Sequence, residues 1–300
     1  MNTSAPVRSK PHGAFSEVRF QNLTVHFESS TGTVWCYMNP RGRATFSPDL
    51  LAEMTQLQSL IARVAGHAQS FPNEAPLRFQ VLASRTPGVF SFGGDLDLFA
   101  RLVRSADRRA LWAYMKACVD MLYPSASGYG KGVATISLVQ GDALGGGFEA
   151  ALAADRIIAE RGARLGFPER LFNMFPGMGA FSFLCRRIEP NKARRIIESA
   201  RNYRAEELLD LGVIDQVVEP GAGEDAVRDY IANYQRYAVS YSAMDRVRRT
   251  LHPIDCEELM QVGEIWVEAA LRITDRDLRM MERLVKSQTG RVENRSVSSL

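Results

Sequence analysis

The chain has 300 residues, 46% of them apolar, which is enough material for one large domain or two small ones. Its 37 Lys and Arg nearly balance 34 Asp and Glu, and a formal charge of +3 gives no electrostatic case for a nucleic-acid-binding role. Four cysteines (Cys36, Cys118, Cys185, Cys256) and four histidines (His12, His26, His67, His252) lie scattered without ligand spacing; this argues against a metal site and for reduced thiols in a cytoplasmic protein.

The first residues, MNTSAPVRSKPHG, have no apolar stretch of signal-peptide type and no periodicity, and residues 1–13 read as a mobile tail. No run of 18 apolar residues occurs anywhere, so no membrane span is expected. Asn22 to Phe27 and Thr33 to Met38 are rich in β-branched and aromatic residues and flank SSTG, a hairpin signal. Ser47, Pro48 and Asp49 mark a helix start. Leu50, Leu51, Met54, Leu57, Leu60, Ile61 and Val64 then form one apolar stripe, predicting a helix to about His67. Leu77 to Ser84 reads as a further strand, and FSFGGDLDLF at Phe90 to Phe99 brings two glycines to the end of that strand region, where open α/β sheets bind ligands. Asp107 to about Tyr123 reads as a helix with Leu111, Trp112, Met115, Val119 and Leu122 inward.

The stretch from Val139 to Glu169, VQGDALGGGFEAALAADRIIAERGARLGFPE, organises the rest. Val133 to Val139 is a buried strand by composition. Gly145, Gly146 and Gly147 follow, then a good helix former. Glycines between a strand and a helix let backbone N–H groups approach a negatively charged oxygen. No Gly-Lys-Ser/Thr follows, which excludes a phosphate-binding loop of that type, and no G-x-G-x-x-G is present. Glu149 lies in the first turn of the helix and Glu169 in a loop beyond it. After Glu169, LFNMFPGMGAFSFL is unusually apolar for a loop, suited to core packing and to an adaptable apolar wall. Arg186, Arg187, Lys192, Arg194, Arg195, Arg201 and Arg204 make either a solvated face or a dock for a phosphopantetheine arm or an acidic carrier protein. From Asp225 on the chain reads as helical, with amphipathic segments at Ala226 to Ala238, Cys256 to Leu271 and Asp275 to Val285, and RVENRSVSSL as a polar tail.

Taken together, SLVQGDALGGGFEAALAADRIIAE, LGFPERLFNMFPGMGA, FSFGGDLDLF and RRIIESARNYRAEELLDLGVIDQVVEP resemble the crotonase (enoyl-CoA hydratase/isomerase) superfamily, and about 200 residues, from Val18 to Pro220, match in order. Within it the LGGGFEAALA run, the FPGMGAFSF run and the long helical C-terminal part are most similar to the diffusible-signal-factor synthases. The resemblance implies an α/β fold with a ββα-superhelix spiral core at 14–220, a helical cover or oligomerisation region at 221–290 and a tail at 291–300. It implies Glu149 and Glu169 as the catalytic carboxylates, with Glu169 at C2 and Glu149 at the 3-hydroxyl, and Gly94 and Gly146 as the oxyanion hole. Phe92, Leu144, Phe175, Met178 and Trp266 are assigned to the acyl pocket. Arg170, beside Glu169, departs from an otherwise apolar stretch and would perturb Glu169 if it pointed inward. No cofactor or metal is implied. The substrate is an acyl carrier protein or CoA thioester, and the chain is expected as a homotrimer or hexamer with a sensor kinase among its partners. The leading expectation is dehydration of a 3-hydroxyacyl thioester followed by hydrolysis to a cis-2-unsaturated fatty-acid signal. A hydratase or isomerase of fatty-acid metabolism is the alternative, and a non-catalytic acyl-chain or sensor-kinase binder is the alternative of another class.

Overall fold

The computed structural model describes residues 11–66 and 76–297. Most of the expected tail and the end of the first long helix at His67 therefore lie outside the described residues. Pro11–Ser16 forms a short helix, α1, which docks by stacking Phe15 on Phe27 with centroids 5.4 Å apart. The expected hairpin is present: β1 (Leu23–Glu28) pairs antiparallel with β2 (Thr33–Met38), and Gly32 takes φ +68° to close the turn. Helix α2 (Pro48–Gly66) starts as its Ser-Pro-Asp signal requires, with Ser47 Oγ accepting from the Leu50 N–H.

A ββα unit then repeats and winds into a spiral. The first turn comprises β3 (Phe79–Ser84), β4 (Val89–Ser91), α3 (Leu96–Arg104) and α4 (Arg108–Ala126). The second is β5 (Ala134–Val139), β6 (Asp142–Leu144) and α5 (Gly146–Leu152). The third is β7 (Arg156–Glu160), β8 (Arg164–Gly166), a one-turn 3-10 helix at Glu169–Phe172, α6 (Ala180–Leu184) and α7 (Pro190–Ser199). It ends in β9 (Asn202–Arg204), α8 (Ala205–Asp210) and β10 (Gln216–Val218). Each turn sends one strand to each of two sheets, ordered β1-β2-β3-β5-β7-β10 and β4-β6-β8-β9; only β1–β2 and β8–β9 pair antiparallel.

Both faces of the larger sheet are covered, as expected where helices return across parallel strands. Along β2, Val34, Cys36 and Met38 enter the main core, while Trp35 and Tyr37 enter a second cluster on the other face. That second cluster is closed by Ala226, Val227, Ile231 and Tyr234 of α9 (Gly223–Arg236). Three more helices follow: α10 (Ala238–Leu251), α11 (Cys256–Ala270) and α12 (Asp275–Val297). The chain is helical from Asp225 on as expected, with one helix the sequence did not delimit, and two expectations change. Helix α10 has no buried residue, so its sequence carries no core stripe to reveal it. The backbone of α12 is helical to Val297, through most of the expected polar tail. Trp112 is 36% exposed rather than core: the inward stripe of α4 runs through Leu111, Met115, Cys118, Val119 and Leu122, and position 112 lies about 20° beyond Val119, past its outer edge.

Candidate active site

Two glycine turns, each between the second strand and the helix of one of two successive ββα units, meet at the C-terminal edge of the smaller sheet. After β4 the chain turns through Gly93 at φ +85° and enters α3, whose first turn is capped by the Asp95 carboxylate accepting from the Leu98 N–H at 3.0 Å. After β6 it turns through Gly145 at φ +54° into α5. The two turns touch backbone to backbone. A Cβ at Gly93 would lie 2.6 Å from Gly146 N, and a Cβ at Gly146 would lie 3.4 Å from Gly94 N. Glycine is needed for this closeness, and it leaves the Gly94 and Gly146 amides side by side on one cavity. Among the described residues neither N–H donates to a protein acceptor. Two uncommitted backbone donors beside each other form a site for an oxyanion.

Glu149 projects from the first turn of α5 and is 1% exposed. Its Oε1 accepts from the Met178 N–H at 2.7 Å and the Ala180 N–H at 2.9 Å, so the FPGMGA segment wraps the carboxylate with its own backbone. Burial raises its pKa to about 7, against the lowering effect of those amides. Glu169 opens the 3-10 turn. One oxygen abuts the Gly145 turn, 2.5 Å from where a Cβ would stand, and Oε2 is buried with no hydrogen-bond partner. Burial and then the neighbouring Glu149 charge hold its pKa well above the usual carboxylate range. The dyad therefore holds a proton at neutral pH, with the ionised share favouring Glu149, the carboxylate that the amides stabilise.

The cavity between these groups is lined by Gly94, Asp95, Leu96, Phe99, Tyr114, Met115, Cys118, Gly146, Glu149, Glu169, Phe172, Gly177, Met178 and Trp266. It holds about 550 Å³ of empty space including its mouth. Trp266 packs on Phe99 with ring centroids 4.8 Å apart and fills the space a side chain at Gly177 would need.

Of the residues singled out from the sequence, the structure brings Glu149, Glu169, Gly94, Gly146, Met178 and Trp266 to this one cavity. It places Phe92 and Leu144 elsewhere, in a small cluster with Ala44 and Val89 behind the glycine turns, and Phe175 is half-buried outside the lining. Arg170 is exposed and donates to the Glu198 carbonyl, so its charge points away from the Glu169 carboxyl. The arginines after α6 are outside the cavity and several are engaged: Arg186 with Glu258, Arg187 with Asp215, Arg194 with Glu198 and Arg201 with Glu207. Tyr114, Met115 and Cys118 escape a reading by motif. They belong to α4, far from both glutamates in the chain, and only the packing of α4 beside the Gly94 turn reveals them. Among the described residues no group of three His, Cys, Asp or Glu could hold a metal ion.

Residues 39–288 match the sequence profile of the enoyl-CoA hydratase/isomerase family. The chain belongs to that family. Solved structures with the same fold include human mitochondrial delta3-delta2-enoyl-CoA isomerase, with TM-score 0.74, 19% identity, and coverage of 90% of this chain and 99% of that one. They also include an enoyl-CoA hydratase from Bacillus halodurans (TM-score 0.71, 19% identity, 88% and 100% covered) and DspI of Pseudomonas aeruginosa (TM-score 0.61, 25% identity, 84% and 97% covered). Among curated relatives, the fatty acid oxidation complex subunit alpha of Idiomarina loihiensis is 33% identical over 141 residues, 47% of this chain. The glyoxysomal fatty acid beta-oxidation multifunctional protein MFP-a of Brassica napus is 28% identical over 208 residues, 61% of this chain. The chain spans only 19% and 28% of the lengths of these two relatives.

Proposed function

We propose that this protein eliminates water from a 3-hydroxyacyl thioester carried by an acyl carrier protein or CoA, and then cleaves the thioester to release a cis-2-unsaturated fatty acid used in cell–cell signalling. The observation that carries the reading is the convergence of two glutamates, Glu149 buried and Glu169 half-buried with one oxygen enclosed, and two uncommitted amides on one cavity. The Gly94 and Gly146 N–H groups hold the thioester oxygen as negative charge builds on it. The charge order of the dyad supports the opposite division of roles to the one expected from the resemblance. Glu149, the more readily ionised, removes the C2 proton, and protonated Glu169 gives its proton to the departing 3-hydroxyl, which leaves as water. One proton has then moved to Glu149 and one has left Glu169, so the dyad keeps the same count. In hydrolysis a carboxylate takes a proton from water, the hydroxide adds to the held carbonyl, and the C–S bond breaks with the thiol leaving protonated.

The resemblance to signal-factor synthases along LGGGFEAALA and FPGMGAFSF supports the thioester-cleaving step. The curated relatives favour a second reading, reversible hydration of 2-enoyl-CoA by the same groups without release of acid. Mass spectrometry of products from a 3-hydroxydodecanoyl carrier-protein thioester and from a 2-enoyl-CoA separates the two. Free cis-2-enoic acid, lost in Glu149→Ala and Glu169→Ala, is the expected result. Hydration of the CoA ester with no free acid leaves only the second reading.

A further inference from the structure

The oxyanion turn is not held by its own strand alone. Phe46 and Gly94 form an isolated parallel bridge, in which the Phe46 N–H donates to the Gly93 carbonyl at 2.7 Å. At the next rung the Tyr114 hydroxyl stands between the two chains. It accepts from the Asp95 N–H at 2.7 Å and donates to the Phe46 carbonyl at 2.8 Å. Its position also backs Gly94 directly, 3.4 Å from where a Cβ there would lie. Cys118, one helical turn on, lies beside the same side chain. The hydroxyl is thus fully engaged, and burial keeps it protonated far above neutral pH, so it cannot serve as the acid or base of the reaction.

The orientation of the Gly94 amide is set by the peptide planes on either side of it. The Gly94 N–H shares one peptide plane with the Gly93 carbonyl, which Phe46 pins, and the next plane, hinged to it at the Gly94 Cα, carries the Asp95 N–H, which Tyr114 pins. We propose that Tyr114 is a positioning residue for the oxyanion hole: through the Asp95 N–H and the Phe46 carbonyl it aims the Gly94 N–H at the thioester oxygen. This inference rests on the thioester reading above. An oxyanion donor loses most of its value when misaimed by a fraction of an ångström, because its strength depends on distance and angle to the developing charge.

Tyr114→Phe is the test, with a thioester of 4-(dimethylamino)cinnamic acid as the probe, since its absorbance moves to longer wavelength as its carbonyl is polarised. The wild-type protein is expected to red-shift the probe. Tyr114→Phe is expected to lose most of that shift and roughly 10–100-fold in kcat, with KM within about threefold and the pH profile unmoved. Incorporation of 2,3,5-trifluorotyrosine at position 114, which keeps ring and hydroxyl, is expected to restore both, and this arm answers the question even where the Phe variant folds poorly. A Phe variant with wild-type red shift, whatever its kcat, overturns the role of Tyr114 and leaves the thioester reading intact. A wild-type protein that binds the probe without any shift overturns both.

Discussion

Glu149 and Glu169 face one cavity in unequal circumstances: two backbone amides hold the first, and the second keeps a buried oxygen unpartnered. That inequality sets the pH dependence. Glu149 must be ionised to act as base, so kcat/KM is expected to rise through pH about 7; Glu169 must be protonated, so the rate falls again only at a higher pH. A steady-state pH profile checks this, and Glu169→Gln is expected to lose the alkaline limb together with ~10²–10⁴-fold in rate. The same burial acts on stability in the opposite sense to function. A carboxyl raised from 4.5 to about 7 in the folded state ionises more readily in the unfolded chain, so stability present below pH 4.5 is lost as pH rises towards 7. Glu149→Gln, whose amide oxygen can still accept from Met178 and Ala180, is therefore expected to be more stable than wild type by on the order of 2 kcal/mol at pH 8 and about equal at pH 4, by denaturant melts. A variant that is less stable at both pH values would show that burial is not the cause.

At the scale of elements, the site depends on how closely backbones approach. Gly147, in the first turn of α5, lies against β4: a Cβ there would overlap the Ser91 carbonyl oxygen. Gly147→Ala is expected to cost roughly 2–3 kcal/mol, because backbone on both sides must give. Gly42→Ala, with nothing within 4 Å, is expected to stay within about 0.5 kcal/mol. Helix α10 is attached differently, by Tyr241 packed on Tyr230 and Tyr234 of α9 and by charge. The Asp155 carboxylate, 6% exposed, accepts from the Thr135 N–H at 2.9 Å and from Arg248 and Arg249 of α10. Asp155→Ala removes the carboxylate between two guanidinium groups, leaving Arg249 only the Val133 carbonyl, and about 3 kcal/mol of destabilisation is expected, with early protease cleavage within α10 as the local signature. Cleavage no faster than in wild type would show that other contacts hold the helix.

Across the whole molecule, apolar surface is distributed unevenly. Helix α10 exposes Val239 (88%), Met244, Val247 and Leu251 while burying none of its residues. An exposed apolar face of this kind is where the trimer or hexamer expected from the resemblance can be tested. Light scattering on Val247→Glu/Leu251→Glu is expected to report a smaller species than wild type; an unchanged mass would place the contacts elsewhere. Among the described residues no helix is long and apolar enough to cross a membrane. Helix α12 packs on both α3 and the 3-10 turn of Glu169, so the last helix joins the oxyanion side of the site to its carboxylate side. Arg104 to Glu282 is the ion pair that ties it to α3.

What the sequence determined by itself is local and short-range. Positive-φ glycines after strands, Glu149 in a first helical turn, the SSTG hairpin and the core stripe of α2 are all consequences of backbone sterics and of periodicity within one element. These mark the Gly93-Gly94 and Gly145-Gly147 turns and the first-turn Glu149 as candidates; the pairing of Glu149 with Glu169, and of the Gly94 amide with that of Gly146, comes from the resemblance to the crotonase superfamily. The rest is set by which elements meet. Phe92 and Leu144 are as apolar as Met178, and only packing sends the first two behind the glycine turns and the third into the cavity. Trp112 and Tyr114 are two aromatics of one helix, separated by about 200° around its axis, and the placement of α4 turns one to the surface and the other to the Asp95 amide. The order of protonation in the dyad is tertiary as well. It follows from burial, from two amides donated 29 and 31 residues downstream of Glu149, and from a second carboxyl close enough to repel the first. No spacing in the chain encodes a dielectric environment, which arises only when the apolar elements close around the site.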